Sequence, residues 1–302
     1  MAQTLSLPSP NSDNQPGLEK WMDRVLKRAQ KVRKTWDADD IHDLRVALRR
    51  CRTMAEALSE ANPSPGWNKL KKQSKKIFHT LGEVRDIQIE QDWTKKLAPQ
   101  PEPIRAHLLK ALRSKEKERV EAAGDALEGF DRKEWRRLSR KLPAKAEMFP
   151  LESVVFQRLA LAKLNHAVAL YEKAHKRPSS IGWHRVRIAI KHFRYIVENF
   201  LPKHYEAWAA DLKEMQDLLG EVHDLDVLRA DVRRLTRELD RQSVAEWLGR
   251  IEGPRNERLE KFLSKTDGKE SLWLDWRSGL QGGKTLLPVL LDGNSRAAYS
   301  AS

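Results

Sequence analysis

A single cysteine, Cys51, rules out any intramolecular disulfide and fits a reducing compartment. Long hydrophobic runs are missing as well. None approaches the roughly 18 residues that a membrane span requires. The best apolar stretch, Leu286 to Leu291, is short and holds Pro288. Positions 1–17 are rich in Ser, Pro, Asn and Gln, with no positive start followed by an apolar stretch. They lack the pattern of a secretory signal and read as a disordered lead-in. A cytoplasmic chain without membrane attachment is the expectation. Acidic residues are the minority: 43 Asp and Glu against 57 Lys and Arg leave a formal charge of +14. That excess points to an anionic partner, whether nucleic acid, phosphate polymer or acidic lipid.

Strand-like alternation is scarce, whereas helix formers are abundant. Proline-rich breaks divide the 302 residues. Between the breaks the pattern predicts helices near 18–34, 40–60, 67–97, 104–128, 151–176, 182–200, 205–239 and 243–264. The expected fold is all-α: two runs of four helices, 18–142 and 151–265, with the divide at Pro143 to Pro150. From Thr266 no period is sustained. Residues 266–302 read as a tail that packs loosely through Trp273 and Trp276 or is partly disordered.

Two segments of this chain are near copies. His42-Asp43-Leu44-Arg45-Val46-Ala47-Leu48-Arg49-Arg50-Cys51-Arg52 is followed, at an offset of 142, by His184-Arg185-Val186-Arg187-Ile188-Ala189-Ile190-Lys191-His192-Phe193-Arg194. Each begins with His and places a cation at +3, +7 and +10. On a helix that spacing forms one stripe about 80° wide. A second pair, Leu81-Gly82-Glu83-Val84-Arg85-Asp86 and Leu219-Gly220-Glu221-Val222-His223-Asp224, recurs at an offset of 138. Two matches at nearly one offset indicate an internal duplication.

The stripe and the core face separate cleanly. Leu44, Leu48, Cys51, Ala55 and Leu58 share one side of the first motif helix; Val186, Ile190, Phe193 and Val197 do so in the second. Asp37, Asp39 or Asp40 can cap the first, and Ser179 or Ser180 the second. Arginine's planar fork suits phosphate, and helix N-termini favour anions. Asp86 and Asp224 are candidates to relieve repulsion within the stripes. In the next helix Lys72, Lys75 and His79 continue the charge at the same spacing, with Gly82 leaving room for close approach. Its second-half counterpart retains only Lys213, since Ala210 and Asp217 hold the other places. The two halves should therefore bind unequally.

Other chemistries fit less well. Ser278 stands where a phosphate loop needs glycine. Glu221 and His223 lie two apart, not in the Glu-x-x-His spacing of a di-iron bundle, although His79 and Glu83 could chelate at i, i+4. No helix-turn-helix, zinc-finger or aromatic RNA-binding pattern is present. The ten tryptophans fit core anchors better than base-stacking platforms.

With these motifs in this order the chain resembles the CHAD (conserved histidine α-helical domain) family over about residues 18–265. The resemblance implies two four-helix bundles related by a pseudo-twofold axis with a basic surface or channel between them, binding of inorganic polyphosphate, and association with polyphosphate granules. It also implies a non-enzymatic role, with no catalytic residue, metal or cofactor. Carried onto this sequence, the binding positions are His42, Arg45, Arg49 and Arg52, with His184, Arg187, Lys191 and Arg194. Arg50, Lys72, Lys75, His79 and Lys213 complete the candidate set. His192 stands where the first copy has Arg50. Non-specific nucleic-acid binding is the alternative function, and a metal-dependent phosphohydrolase using Glu83, Asp86, Glu221 and Asp224 is a third.

Overall fold

The computed structural model describes residues 17–282, and all of its regular structure is helical. The expected lead-in before Gly17 and the Leu286–Leu291 run lie outside the described residues. Ten helices follow in order: α1 (Leu18–Thr35), α2 (Ala38–Ala61), α3 (Pro65–Leu97), α4 (Pro103–Glu128), α5 (Arg132–Glu147), α6 (Val154–Lys176), α7 (Ser180–Phe200), α8 (Pro202–Leu235), α9 (Arg241–Thr266) and α10 (Leu272–Gln281).

Local chemistry sets the boundaries. Asp37 caps α2, accepting from the backbone N–H of Asp39 at 2.8 Å and of Asp40 at 3.4 Å. Ser179 caps α7 through the N–H of Gly182 at 3.0 Å. Proline opens α3, α4 and α8, where its missing N–H has no cost. Both motif helices thus begin where short polar side chains satisfy free backbone donors.

Eight helices correspond to the sequence expectation. Two were not expected, and both correct it. The stretch up to Pro150 is not a connection: α5 runs through Pro143 as far as Glu147. Trp135, Leu138 and Leu142 recur at i, i+3 and i+7, and all three are buried. The Trp135 indole N–H donates to the Met22 carbonyl at 3.0 Å. Residues 266–282 are likewise not a tail. Helix α10 buries Trp273 and Trp276, which meet edge to face at 5.7 Å. The two halves join at 148–153, where the Glu152 carboxylate accepts from the Lys203 N–H at 2.7 Å at the start of α8.

Packing follows the same order in both halves. In the first half α1 packs on α2, α2 on α3 and α3 on α4, and α5 returns to α1 and α3; in the second α6 packs on α7, α7 on α8 and α8 on α9, and α10 returns to α6 and α8. Helices α2 and α7 cross at the centre, beside a contact between α3 and α8. One large core runs through both halves. A second, smaller core joins the far ends of the α3/α4 and α8/α9 hairpins, through Trp93, Ile104, Leu108, Leu225, Leu228 and Trp247. The polar residues that follow Gly82 on α3 and Gly220 on α8, Asp86 and Asp224, fall between these two cores along their helices.

Candidate anion-binding site at the α2–α7 crossing

The motif helices bring four cations together. Arg45 and Arg49 come from α2, Arg187 and Lys191 from α7. Lys191 feels both arginines of α2 as well as Arg187 on its own helix. Asp86 of α3 interacts with Arg45, Arg187 and Lys191, and Asp224 of α8 interacts with Arg187 and Lys191. The two carboxylates therefore reach the cations of the stripes, as their positions after the motif glycines suggested.

Burial and like charge act in the same direction on the basic groups. Lys191 is pushed down to about 7, by burial first and then by Arg187, Arg49 and Arg45. Burial also lowers Arg45, with Arg49 and Arg85 adding to it and Asp86 opposing. Asp224 is pushed up to about 6 by burial, against the pull of Arg187. The Asp86 carboxyl is raised in the same way. The Nε groups of Arg49 and Arg187 are buried with no hydrogen-bond partner among the described residues.

Each stripe has its own surroundings. In the first half Arg45 donates to the Phe78 carbonyl at 3.1 Å. Arg52 donates to the Lys71 carbonyl at 2.9 Å and to Ser74 Oγ at 3.2 Å. The two guanidiniums lie 5.1 and 5.3 Å from the Phe78 ring centre. Gly82 makes this possible: a Cβ there would sit 2.7 Å from Arg45 Nη1. Around Gly220 no such contact exists. In the second half His184 and His223 bring their Nδ1 atoms to 3.1 Å, with ring centres 4.3 Å apart. One ring donates and the other accepts, so the pair resists double protonation. His223 is held down to about 4 by burial, Arg187 and His184. His42 is lowered as well, by the partial burial of its ring first and then by Arg85 and Arg49.

Other candidates stand apart from the crossing cluster. Arg50 forms an ion pair with Glu198 and donates to Asn199 Oδ1 at 3.0 Å, clamping α2 to α7. Arg194 is buried beside the same Glu198, 3.7 Å away. These two arginines compensate a buried carboxylate and are not displayed beside the other four cations. Lys72 and Lys75 are exposed on α3 and form no ion pair among the described residues. His79 stands 3.9 Å from Glu83. Lys213 is neutralised by Asp217 at 2.7 Å. Arg85 and His223 belong to the cluster although the candidate set omitted them. Their place in the repeated Leu-Gly-Glu-Val motif was the available signal.

Three further features bear on the chemistry. Cys51 is fully buried, and burial raises its thiol pKa. Glu221 is drawn to Arg258 at 2.7 Å. No three His, Cys, Asp or Glu side chains converge as a metal site among the described residues. Eight of the ten tryptophans are buried, and Trp21 and Trp36 are half-buried. No described helix is long and apolar enough to cross a membrane.

Comparison with known proteins agrees with this architecture. No curated protein sequence matches the chain. Among solved structures, the CHAD domain from the plant Ricinus communis superimposes with a TM-score of 0.54 and 22% identity, covering 94% of this chain and 96% of that one. PptA from Streptomyces chartreusis superimposes with a TM-score of 0.61 and 14% identity, covering 85% of this chain and 99% of that one. At these identities the likeness concerns the fold. Residues 17–233, from the start of α1 to near the end of α8, match the CHAD domain, and the chain belongs to that family.

Proposed function

We propose that this chain binds inorganic polyphosphate at the crossing of α2 and α7 and does so without catalysing a reaction. The observation that carries the reading is the convergence of Arg45, Arg49, Arg187 and Lys191, with Lys191 held down to about 7. A group forced toward neutrality by burial and by its cationic neighbours regains its charge when an anion arrives, so a multivalent anion offsets the cluster's self-repulsion. Arginine forks offer paired donors to successive phosphates. The proposal includes the internal duplication: each half supplies one stripe, and one chain of phosphates spans both. Granule association follows from such binding, because a granule presents the same polymer at high local concentration.

Nucleic acid is a weaker fit. Its bases call for stacking surfaces or edge-reading groups, and no tryptophan among the described residues is fully exposed. A ligand made only of phosphate needs neither.

The test is equilibrium binding of long polyphosphate across a salt series. By analogy with nucleic acid, six to ten phosphate contacts correspond to a loss of roughly 10³–10⁵ in affinity between about 50 and 200 mM salt. The paired substitution Arg45→Glu and Arg187→Glu is expected to abolish binding while leaving helical circular dichroism intact. Ready displacement by excess DNA or RNA would move the assignment to nucleic acid. Phosphate release in Mg²⁺ or Mn²⁺, lost in Asp86→Asn with Asp224→Asn, would make the protein a hydrolase.

A further inference from the structure

The N-terminal half of α3 has no acidic residue between Pro65 and Gly82, but it has Lys69, Lys71, Lys72, Lys75 and Lys76. None of the five forms an ion pair among the described residues. Lys69, Lys72, Lys75 and Lys76 are all exposed. From Lys69 to Gly82, where Arg45 is seated, the helix rises about 20 Å.

Helix α5 lies directly against the start of this row. A Cβ on Gly66 would stand 2.7 Å from Leu142 Cδ2, and Lys145 Nζ is 3.3 Å from Ser64 Oγ. With Trp135, Leu138 and Leu142 turned inward, the outer face of α5 presents Lys133, Arg136, Arg137, Arg140 and Lys141. Among the described residues only Arg137 of these is paired, with Glu134 at 2.6 Å. Glu134 also feels Lys69 of α3 and Lys141, so the two basic rows meet there.

The second half has nothing comparable. Helix α8 places Glu206, Asp211, Glu214 and Asp217 in the same stretch. Three of these acids are drawn into pairs: Lys261–Glu214 at 2.9 Å, Lys265–Glu214 at 2.7 Å, Lys213–Asp217 at 2.7 Å and Lys265–Asp211 at 3.8 Å. The helix that returns to α8 is α10, with one arginine and one aspartate.

We propose that polyphosphate bound at the crossing continues along the N-terminal half of α3 onto the outer face of α5, a second contact surface confined to the first half. The proposal rests on polyphosphate being the ligand of the crossing. Like charges held one helical turn apart repel, and a chain of phosphates laid along them removes that cost. The ligand this surface selects is a long chain: a short one is satisfied at the crossing, and only a long one reaches α5.

The experiment compares Arg136→Glu with Arg140→Glu, made together, against the parent protein. Both side chains are exposed, so the variant is expected to keep the parent's thermal midpoint. Affinity for polyphosphate of a hundred or more units should fall at least tenfold, and the slope of log affinity against log salt should shrink by about 1.5. Affinity for tripolyphosphate should stay within twofold. A control with the same charge change elsewhere, Lys173→Glu with Lys176→Glu on α6, should leave long-chain affinity within threefold. Long-chain binding equal to the parent's overturns the proposal, as does an equal loss in the control, which would make net charge the cause. Loss of DNA binding with polyphosphate binding intact also overturns it and gives the surface to nucleic acid. If the parent binds neither polyphosphate, the reading of the crossing itself has failed.

Discussion

Helices α3 and α8 hold equivalent places, each crossing from the large core to the small one. Their N-terminal halves nevertheless differ in charge. Five lysines without an ion pair among the described residues lie on α3, whereas α8 has four acids, three of which engage lysines on α8 and α9. Their returning helices differ too, α5 with a basic outer face and α10 with a tryptophan-rich inner one. One half presents a row of uncompensated cations, and the other neutralises most of its own charge. At the crossing itself α2 and α7 contribute alike, two cations each, with Arg85 of α3 beside them. The shared part of the site is central, and the asymmetry lies in what surrounds it.

Stability measurements can break this comparison most forcefully. Trp135→Ala in α5 and Trp276→Ala in α10 each empty a fully buried site. Each is expected to cost about 3–5 kcal/mol in denaturant unfolding. A loss under about 1 kcal/mol for Trp135→Ala would make α5 an appendage and not part of the first half's core.

Proton linkage sharpens the comparison next. Lys191 titrates at about 7 in the folded protein, against an ordinary value of 10.5. A bound polyanion restores its charge, so binding takes up a proton above that pH. Affinity should weaken by up to about tenfold per pH unit above about 7. Lys191→Arg, charged throughout, should flatten this limb, and a profile unchanged from the parent's would remove Lys191 from the site. For the free protein the sign is opposite. The unfolded chain holds the Lys191 proton more tightly, so this residue's contribution to stability rises with pH between the two values.

The smallest effects come from the motif glycines. Gly82→Ala pushes a methyl group to 2.7 Å from Arg45 Nη1 and should cost a few-fold in polyphosphate affinity. Gly220→Ala meets nothing within 4 Å. It should leave binding unchanged and stabilise α8 by about 0.5–1 kcal/mol. Equal binding losses for the two would show that Arg45 does not depend on its seat.

Much of this was legible from residue spacing. Asp37 and Ser179 were among the expected caps, and Arg45, Arg49, Arg187 and Lys191 lie on the stripes that the repeat defined. What was not legible came from distant partners. Arg50 fits the basic pattern locally, yet its partner Glu198 is 148 residues away. The His184–His223 contact joins residues 39 apart that belong to different motifs. Helix α5 was hidden for another reason. Pro143 read as a break, although Trp135, Leu138 and Leu142 already had helical spacing. Position 143 comes late enough in α5 for the packed face to outweigh the lost backbone bond.

The smaller core has a consequence for the chain as a whole. Trp93, Ile104 and Leu108 from the first half are covered by Leu225, Leu228 and Trp247 from the second. Neither half can be lifted out intact, since each leaves the other's hairpin tip wet. A fragment ending in the 148–153 connection would have to find a second copy of itself or aggregate. The shared core makes the two halves one folding unit, and it leaves each half free to carry its own charge.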